Sequence, residues 1–447
     1  MKNTKLKKSR RRTIQISRRI SILLFAVVMT IGTITGLLFF IRPSQSMLEK
    51  RTLTTFPSFT LSTFLDGSYF SDISLWYADT FPGRDRLMSV NNSIASMNGI
   101  HPKTQVLSTA KADEIGQKQE KEEETKKEPA KIPDTFALQE EIQGQITAGL
   151  LVQNGAAYGG YYFNQAACDQ YVNAVNRAAS ELDGTTNVYS ILVPNNSAVM
   201  LDKETQEKLG GSDQKQAIEY YYSLYKKAKG INMIDDLIKN NDKPLYFKTD
   251  HHWSADGAYY AYKNFAKEKG FKARSLSDYE SKVFSPFYGS YLNEIAQGQL
   301  EADSLTVYVP KSTNDMMVYD AEGGIPTKEQ LNEPGTPANI ITLDDSLYDE
   351  NNHYLRFING DTGFKVIDNP KINDGSSVLV IKESYGNSFV PFLVDHYDKV
   401  YIADFRYCDM QIVTWCKENN ITDLILMNNI QLIANEGVAQ WYDELLV

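Results

Sequence analysis

Ser377-Val-Leu-Val-Ile-Lys-Glu-Ser384-Tyr-Gly-Asn-Ser388 is a short apolar run that ends on a charged pair and a glycine-containing turn. Val378 to Ile381 is continuous rather than alternating, and it is too short for a helix. That texture fits a strand buried on both faces. Val188-Tyr-Ser-Ile-Leu-Val-Pro194, Lys399-Val-Tyr-Ile-Ala-Asp404 and Asp423-Leu-Ile-Leu-Met427 read the same way. Helix-like stretches cover Tyr171–Leu182 and Asp409–Asn419. Short apolar strands alternating with helices predict an α/β domain, with a parallel sheet flanked by helices. Residues 270–370 are rich in Asp, Asn, Pro and Gly and read as loops with some short strands.

The serine of the opening stretch stands just past a buried strand. Gly386, Asn387 and Ser388 come next, and then the apolar run Phe389–Val394. This is the strand–turn–helix placement that exposes a nucleophilic hydroxyl. Open backbone N–H groups at the start of a helix can hold an oxyanion. Asn387 is a candidate side-chain donor. Ser388 is the competing nucleophile.

A nucleophilic serine needs a base. The chain has five His: His101, His251, His252, His353 and His396. Two are adjacent, in Lys248-Thr-Asp-His-His-Trp-Ser254. Ala255 to Lys269 then has Ala258, Tyr262, Phe265 and Ala266 at helical spacing, with Ser254 as N-cap and Gly270 as C-terminal stop. The Asp-His-His-Trp group therefore lies in a turn before a helix, where functional groups gather in α/β folds. Asp250 and His252, two apart, project to one side of an extended segment. The carboxylate can take one imidazole N–H and leave the other nitrogen as a base. His251 is expected to point the other way.

A metal site needs three or four ligands. Adjacent His side chains diverge and no third His or Cys is near, so no metal is expected, and nothing calls for a cofactor. Asp395-His396 reads as a helix end. The clusters Tyr161-Tyr162-Phe163 and Tyr220-Tyr221-Tyr222 can stack on sugar rings but read first as core packing.

The chain has 447 residues and a net charge of −10. Nine of its 46 Lys/Arg fall within residues 1–19, which hold no acid, so the remainder carries −19. An acidic body of this kind argues against a nucleic-acid partner. Ile20 to Ile41 is a run of 22 residues without a charge. At full helical length it spans about 33 Å, the thickness of a bilayer core. It ends Phe39-Phe40-Ile41-Arg42-Pro43, a poor signal-peptide cleavage site. The sequence thus predicts an uncleaved transmembrane anchor in contact with lipid. Its basic N-terminus faces the cytoplasm, and the rest of the chain lies outside it.

Beyond the anchor, residues 42–100 read as a small, mostly helical juxtamembrane module. Residues 101–134 read as a charged linker, with six Lys and seven Asp/Glu between Lys111 and Lys131. Residues 135–447 form the main domain. Three Cys (Cys168, Cys408, Cys416) cannot all pair within one chain, so no disulfide framework is expected.

Thr249-Asp-His-His-Trp-Ser254 resembles the signature of the DHHW protein family of bacterial cell envelopes. Glu49-Lys-Arg51, Phe56-Pro57, Asp66-Gly67 and Asp79-Thr-Phe-Pro-Gly-Arg84 resemble that family's membrane-proximal part. The family is similar to the SGNH hydrolase-like domains of the alginate O-acetylation proteins, which carry Thr-Asp-x-His-Trp and a later serine in this order. The resemblance implies a flavodoxin-like SGNH hydrolase fold. It implies that Asp250 orients His252, that His252 is the general base and that Ser384 is the nucleophile. Asp404-Phe-Arg-Tyr407 resembles an Asp-x-Arg-Tyr segment of the relatives, which places Arg406 at the site. With Asn387, Trp253 and His251, Arg406 completes the candidate substrate and oxyanion set.

Two departures stand out. Lys382-Glu-Ser384 replaces the relatives' Gly-x-Ser, and His251 replaces a small residue. The expected function is serine O-acyl transfer, from a membrane-embedded partner that exports the acyl group to an envelope polysaccharide. The alternatives are a carbohydrate esterase using the same residues and a non-catalytic polymer-binding or assembly scaffold.

Overall fold

In the computed structural model, the described residues are 149–319 except 294 and 296, residue 326, 328–447 except 408 and 409, and short segments between 42 and 116. The chain divides into two compact units, Met1–Gly99 and Ile100–Val447. The expected anchor at 20–41 lies outside the described residues. Among those described, no helix is long and apolar enough to cross a membrane.

In the first unit, the helix Ser68–Asp79 matches the expected helical texture. Arg42 lays its guanidinium 3.9 Å from the Trp76 ring centre and donates to Thr80 Oγ1 at 2.8 Å. A cation stacked on an aromatic face and anchored by a hydroxyl ties Arg42 to the C-terminal end of this helix.

The second unit is built on an eight-stranded sheet. In spatial order its strands are Thr336–Asn339, Asp315–Tyr319, Phe364–Asp368, Lys399–Asp404, Ser377–Lys382, Asp423–Asn429, Asn187–Val193 and Lys229–Gly230. The last five run parallel to one another. The first three add antiparallel, each to its neighbour. The all-parallel expectation is therefore corrected to a mixed sheet. The three extra strands come from residues 315–368, a region that reads mainly as loop. Their signal is weak because Thr336–Asn339 is a largely exposed edge strand containing Pro337, and Phe364–Asp368 carries the buried Lys365.

Side chains alternate between two apolar layers, as the strand period requires. Leu379, Ile381, Leu424 and Leu426 face one core with the helices Gln165–Glu181 and Glu436–Leu445. Val378, Val380, Ile425 and Met427 face the other, with Ala258, Tyr262 and Phe265 of the helix Ala255–Lys269. Covering both faces explains why the central strands are continuously apolar. Each fully buried aliphatic or aromatic side chain contributes about 1.5–3 kcal/mol of burial energy. Tyr161, Phe163 and Tyr221 lie in the first core, so these members of the tyrosine clusters pack rather than bind.

Strands Leu150–Gln153 and Ala156–Gly159 form a hairpin. Asn154 and Gly155 at its tip both have positive φ, the Asn-Gly signature of a tight turn. Thr104–Val106 pairs with the hairpin's first strand, and Asp113 hydrogen-bonds to Phe163 and Gln165. These parts of the segment read as linker belong to the domain.

Candidate active site

The Asp250–His252 segment is the tip of a tight loop. Tyr246 bridges to Trp253, and Ser254 N–H donates to Leu245 O at 2.9 Å. Ser254 then caps the helix Ala255–Lys269 through Gly257 N–H, and Gly270 ends it in the left-handed region, both as expected. Inside the loop, Asp250 Oδ1 accepts the backbone N–H of His252 at 2.9 Å and its ring Nδ1 at 2.5 Å. Asp250 and His252 thus meet through an Asx turn rather than along an extended strand. On the other side, His252 Nε2 lies 2.7 Å from Ser384 Oγ. With Nδ1–H directed at the carboxylate, Nε2 is the lone-pair nitrogen facing the hydroxyl.

Ser384 stands two residues past the strand Ser377–Lys382, as the sequence predicts. The segment directly after it is not an α-helix. Three short 3₁₀ turns cover Ser384–Ser388, Val390–Phe392 and Val394–His396. Pro391 lacks the N–H an α-helix would need and would clash with the carbonyl one turn back. The helix-start oxyanion site is corrected accordingly. Tyr385 N–H donates to Glu383 Oε2 at 3.0 Å, and Gly386 N–H to Glu383 O at 2.9 Å.

Four residues outside the predicted set complete the arrangement. Tyr354 stacks on His252, with ring centres 4.0 Å apart and planes within 10°, and its hydroxyl donates to Ser384 O at 3.0 Å. Ser290 N–H donates to Asp250 Oδ2 at 2.8 Å. Asp303 accepts from the N–H groups of Lys248 and Thr249 and from Thr249 Oγ1, holding the base of the loop. Glu383, buried beside the serine, is raised in pKa chiefly by desolvation. Tyr354, Ser290 and Asp303 come from the loop-like region, and no local pattern marks them.

Gly289 packs so tightly that an added Cβ would lie 2.1 Å from Asp250 Cβ. Gly289→Ala is expected to destabilise the protein by about 1–3 kcal/mol, the usual cost of overpacking. A denaturation midpoint equal to wild type would refute this.

The remaining predicted residues fare differently. His251 turns toward the site: its ring is 3.8 Å from that of His252, Nδ1 lies 2.6 Å from Ser290 Oγ, and the residue lines the cleft. The Ser290 hydroxyl and the turn at Asp250 draw it back, so the expected divergence is corrected. Trp253 is fully buried and donates to Tyr385 O at 2.9 Å, a role in packing rather than in oxyanion binding. Asn387 is also buried, its amide donating to Asp361 Oδ1 at 2.8 Å, and it does not line the cleft. Ser388 is buried as well, and the histidine contact belongs to Ser384. Asp395 accepts from the Ser312 backbone and His396 meets Tyr262, so this pair stays apart from the site.

Arg406 does line the cleft, held by Asp404 at 2.7 Å and Asp361 at 3.0 Å. Lys382 Nζ completes the network, 2.8 Å from Asp404 and 3.2 Å from Asp361. Burial works against both carboxylates, yet Arg406 and Lys382 outweigh it and hold both below their ordinary range.

The cleft has a volume of about 530 Å³ and opens to solvent. Asn195, Asn429 and Gln431 give it polar walls beside Ser384, and Tyr291 and Leu432 add apolar surface. Asp250, His251 and His252 could also present ligand atoms to a metal, all within 4.8 Å of one another. Both His252 nitrogens already face partners, Asp250 and Ser384, so the donors fit a proton relay better than a metal shell.

A mixed α/β sheet thus brings a serine, a histidine and a carboxylate into one line. The chain matches the DHHW protein family over residues 49–129 and 126–403, and it belongs to that family. Among solved structures it is similar to a DHHW family protein from Eubacterium siraeum. That likeness has TM-score 0.57 and 24% identity, covering 65% of this chain and 95% of that one. It is similar also to Bacillus cereus PatB1 with a sulfonyl adduct, at TM-score 0.52 and 19% identity, covering 65% and 97%. These likenesses establish the fold. No curated protein matches the chain.

Proposed function

We propose that this protein is a serine O-acyltransferase of the bacterial envelope, moving an acetyl group onto a polysaccharide hydroxyl. The observation that carries the reading is the unbroken line from Asp250 through His252 to Ser384 Oγ, beside a cleft with polar walls. Ser384 Oγ attacks the acyl carbonyl carbon while His252 Nε2 takes its proton and Asp250 steadies the imidazolium. The leaving alkoxide takes that proton back, and the acyl group remains on Ser384. An acceptor hydroxyl then enters the cleft, loses its proton to His252 and attacks the acyl carbon; the bond to Ser384 Oγ breaks, and the serine oxygen takes the proton back from His252. Asn195, Asn429 and Gln431 suit a hydroxyl-rich acceptor. PatB1, similar in fold, carries a sulfonyl adduct, and this proposal expects the Ser384 hydroxyl to capture an electrophile of that kind.

In this proposal residues 1–19 are cytoplasmic and 20–41 anchor the chain in lipid. Residues 42–100 form the juxtamembrane module, and 135–447, with the parts of 101–134 that pair with it, work outside the cytoplasm. A membrane-embedded partner supplies the acyl group.

The test is product analysis. The purified full chain in detergent is given a small acetyl ester, with and without an oligosaccharide acceptor. The expected result is an acetylated oligosaccharide. Free acetate alone, unchanged by the acceptor, would make the protein an esterase. No turnover at all would favour a scaffold.

A further inference from the structure

Glu383 holds the place where an oxyanion hole is expected. In a serine acyl-transfer site, the N–H of the residue after the nucleophile points at the developing oxyanion. Here Tyr385 N–H is taken by Glu383 Oε2 at 3.0 Å, and the same oxygen lies 3.2 Å from Ser384 Oγ. The other oxygen accepts Asn429 N–H at 2.9 Å. The side chain lines the cleft and the residue is only 4% exposed. It cannot swing into water without breaking both backbone contacts. An ionised carboxylate in this position would repel the oxyanion and compete with His252 for the serine proton.

We propose that Glu383 acts in its neutral form, its carboxyl O–H donating a hydrogen bond to the ester carbonyl oxygen as charge develops there. This rests on the acyl-transfer reading and adds a catalytic residue to it. As the bond from Ser384 Oγ to the carbonyl carbon forms, the C=O electron pair moves onto oxygen. The serine proton goes to His252 Nε2, and Glu383 keeps its own. When the intermediate collapses, the pair returns and the leaving alkoxide takes the proton from His252. A carboxylic acid kept neutral by its surroundings is a known way to stabilise an oxyanion.

The surroundings favour the neutral acid. Burial is the largest influence on Glu383 and raises its pKa; Arg406, His252 and the N–H groups of Tyr385 and Asn429 oppose it. The other groups that feel its charge are the phenols of Tyr354, Tyr385 and Tyr442. Asp361 and Asp404 stand behind Arg406 and are paired with it. Asp250 stands behind His252.

Activity requires protonated Glu383, so it falls on the alkaline side as Glu383 ionises. The experiment is kcat/KM for p-nitrophenyl acetate from about pH 5 to about pH 10, using the full chain and two variants. Glu383→Gln carries an amide that donates at every pH. It is expected to lose the alkaline fall while staying within about tenfold of the wild-type maximum. Glu383→Ala is expected to lose about 10²–10³-fold at every pH.

Glu383→Gln alone decides the matter if the alanine variant fails to fold. A Gln variant that keeps the alkaline fall, or drops as far as the range expected for Ala, overturns the inference. A wild-type protein that does not turn over the ester overturns the acyl-transfer reading instead.

Discussion

Ser384→Ala is expected to remove at least about 10⁴-fold of kcat toward a small acetyl ester, and His252→Ala about as much. The two side chains form one unit, since the imidazole activates the hydroxyl across 2.7 Å. Removing both should therefore cost little more than removing either. A serine-reactive fluorophosphonate should label Ser384 in wild type and leave Ser384→Ala unlabelled. The substitution removes one oxygen from a site held by backbone turns and stacked rings, so the thermal midpoint should stay near wild type. An intact rate in Ser384→Ala would sink the mechanism. An adduct mapped to Ser388 would reassign the nucleophile, against a geometry in which the His252 contact goes to Ser384.

The line of Asp250, His252 and Ser384 was legible because each residue sits beside an unambiguous local signal. The carboxylate and imidazole stand two apart before a helix with a serine cap and a glycine stop. The serine comes after a strand that is apolar at every position from Val378 to Ile381. Such runs are decisive in a parallel sheet, where both faces are covered. The segment beyond the serine was less legible, because apolar residues after a turn read as helix until the effect of Pro391 on backbone hydrogen bonding is counted.

The supporting residues carry no such signal. Tyr354, Ser290 and Asp303 lie 30 to 102 residues from their partners in sequence and act through a few hydrogen bonds and one ring face. The antiparallel half of the sheet was hidden for a related reason. Lys365 is fully buried inside the strand Phe364–Asp368, and its Nζ donates to Gly360 O at 2.5 Å. A lysine reads as exposed until a partner is found. Glu383 shows the same limit: its charge was visible as a departure from the relatives, whereas its contacts with Tyr385 and Asn429 required the fold.

Asp404→Ala is expected to cost about 3–5 kcal/mol of folding stability, because it removes one of the two carboxylates that neutralise the buried Lys382 and Arg406. Lys382 Nζ and Asp404 are both fully buried, and Lys382 lies two residues before Ser384. The loss would therefore loosen the end of the strand that carries the nucleophile. Lys382→Met should cost less, since Arg406 still holds Asp404 through two contacts at 2.9 and 2.7 Å. The double substitution Lys382→Met with Asp404→Ala should be less harmful than the sum of the two single changes, because it also removes the buried lysine that Asp404→Ala leaves with Asp361 alone. The network also sets a pH dependence. Asp361 and Asp404 are depressed below their ordinary range by Arg406 and Lys382. Their contribution is thus complete above the unfolded value of about 4 and is lost as pH falls through the lower folded value. Glu383, raised by burial, works in the opposite sense: its ionisation costs stability as pH rises. Urea unfolding of wild type and Asp404→Ala at neutral pH and at about pH 3 measures both effects. The difference between the two proteins should narrow in acid. A gap that stays constant, or a double variant as unstable as the sum of its parts, would show that the buried charges act independently of one another.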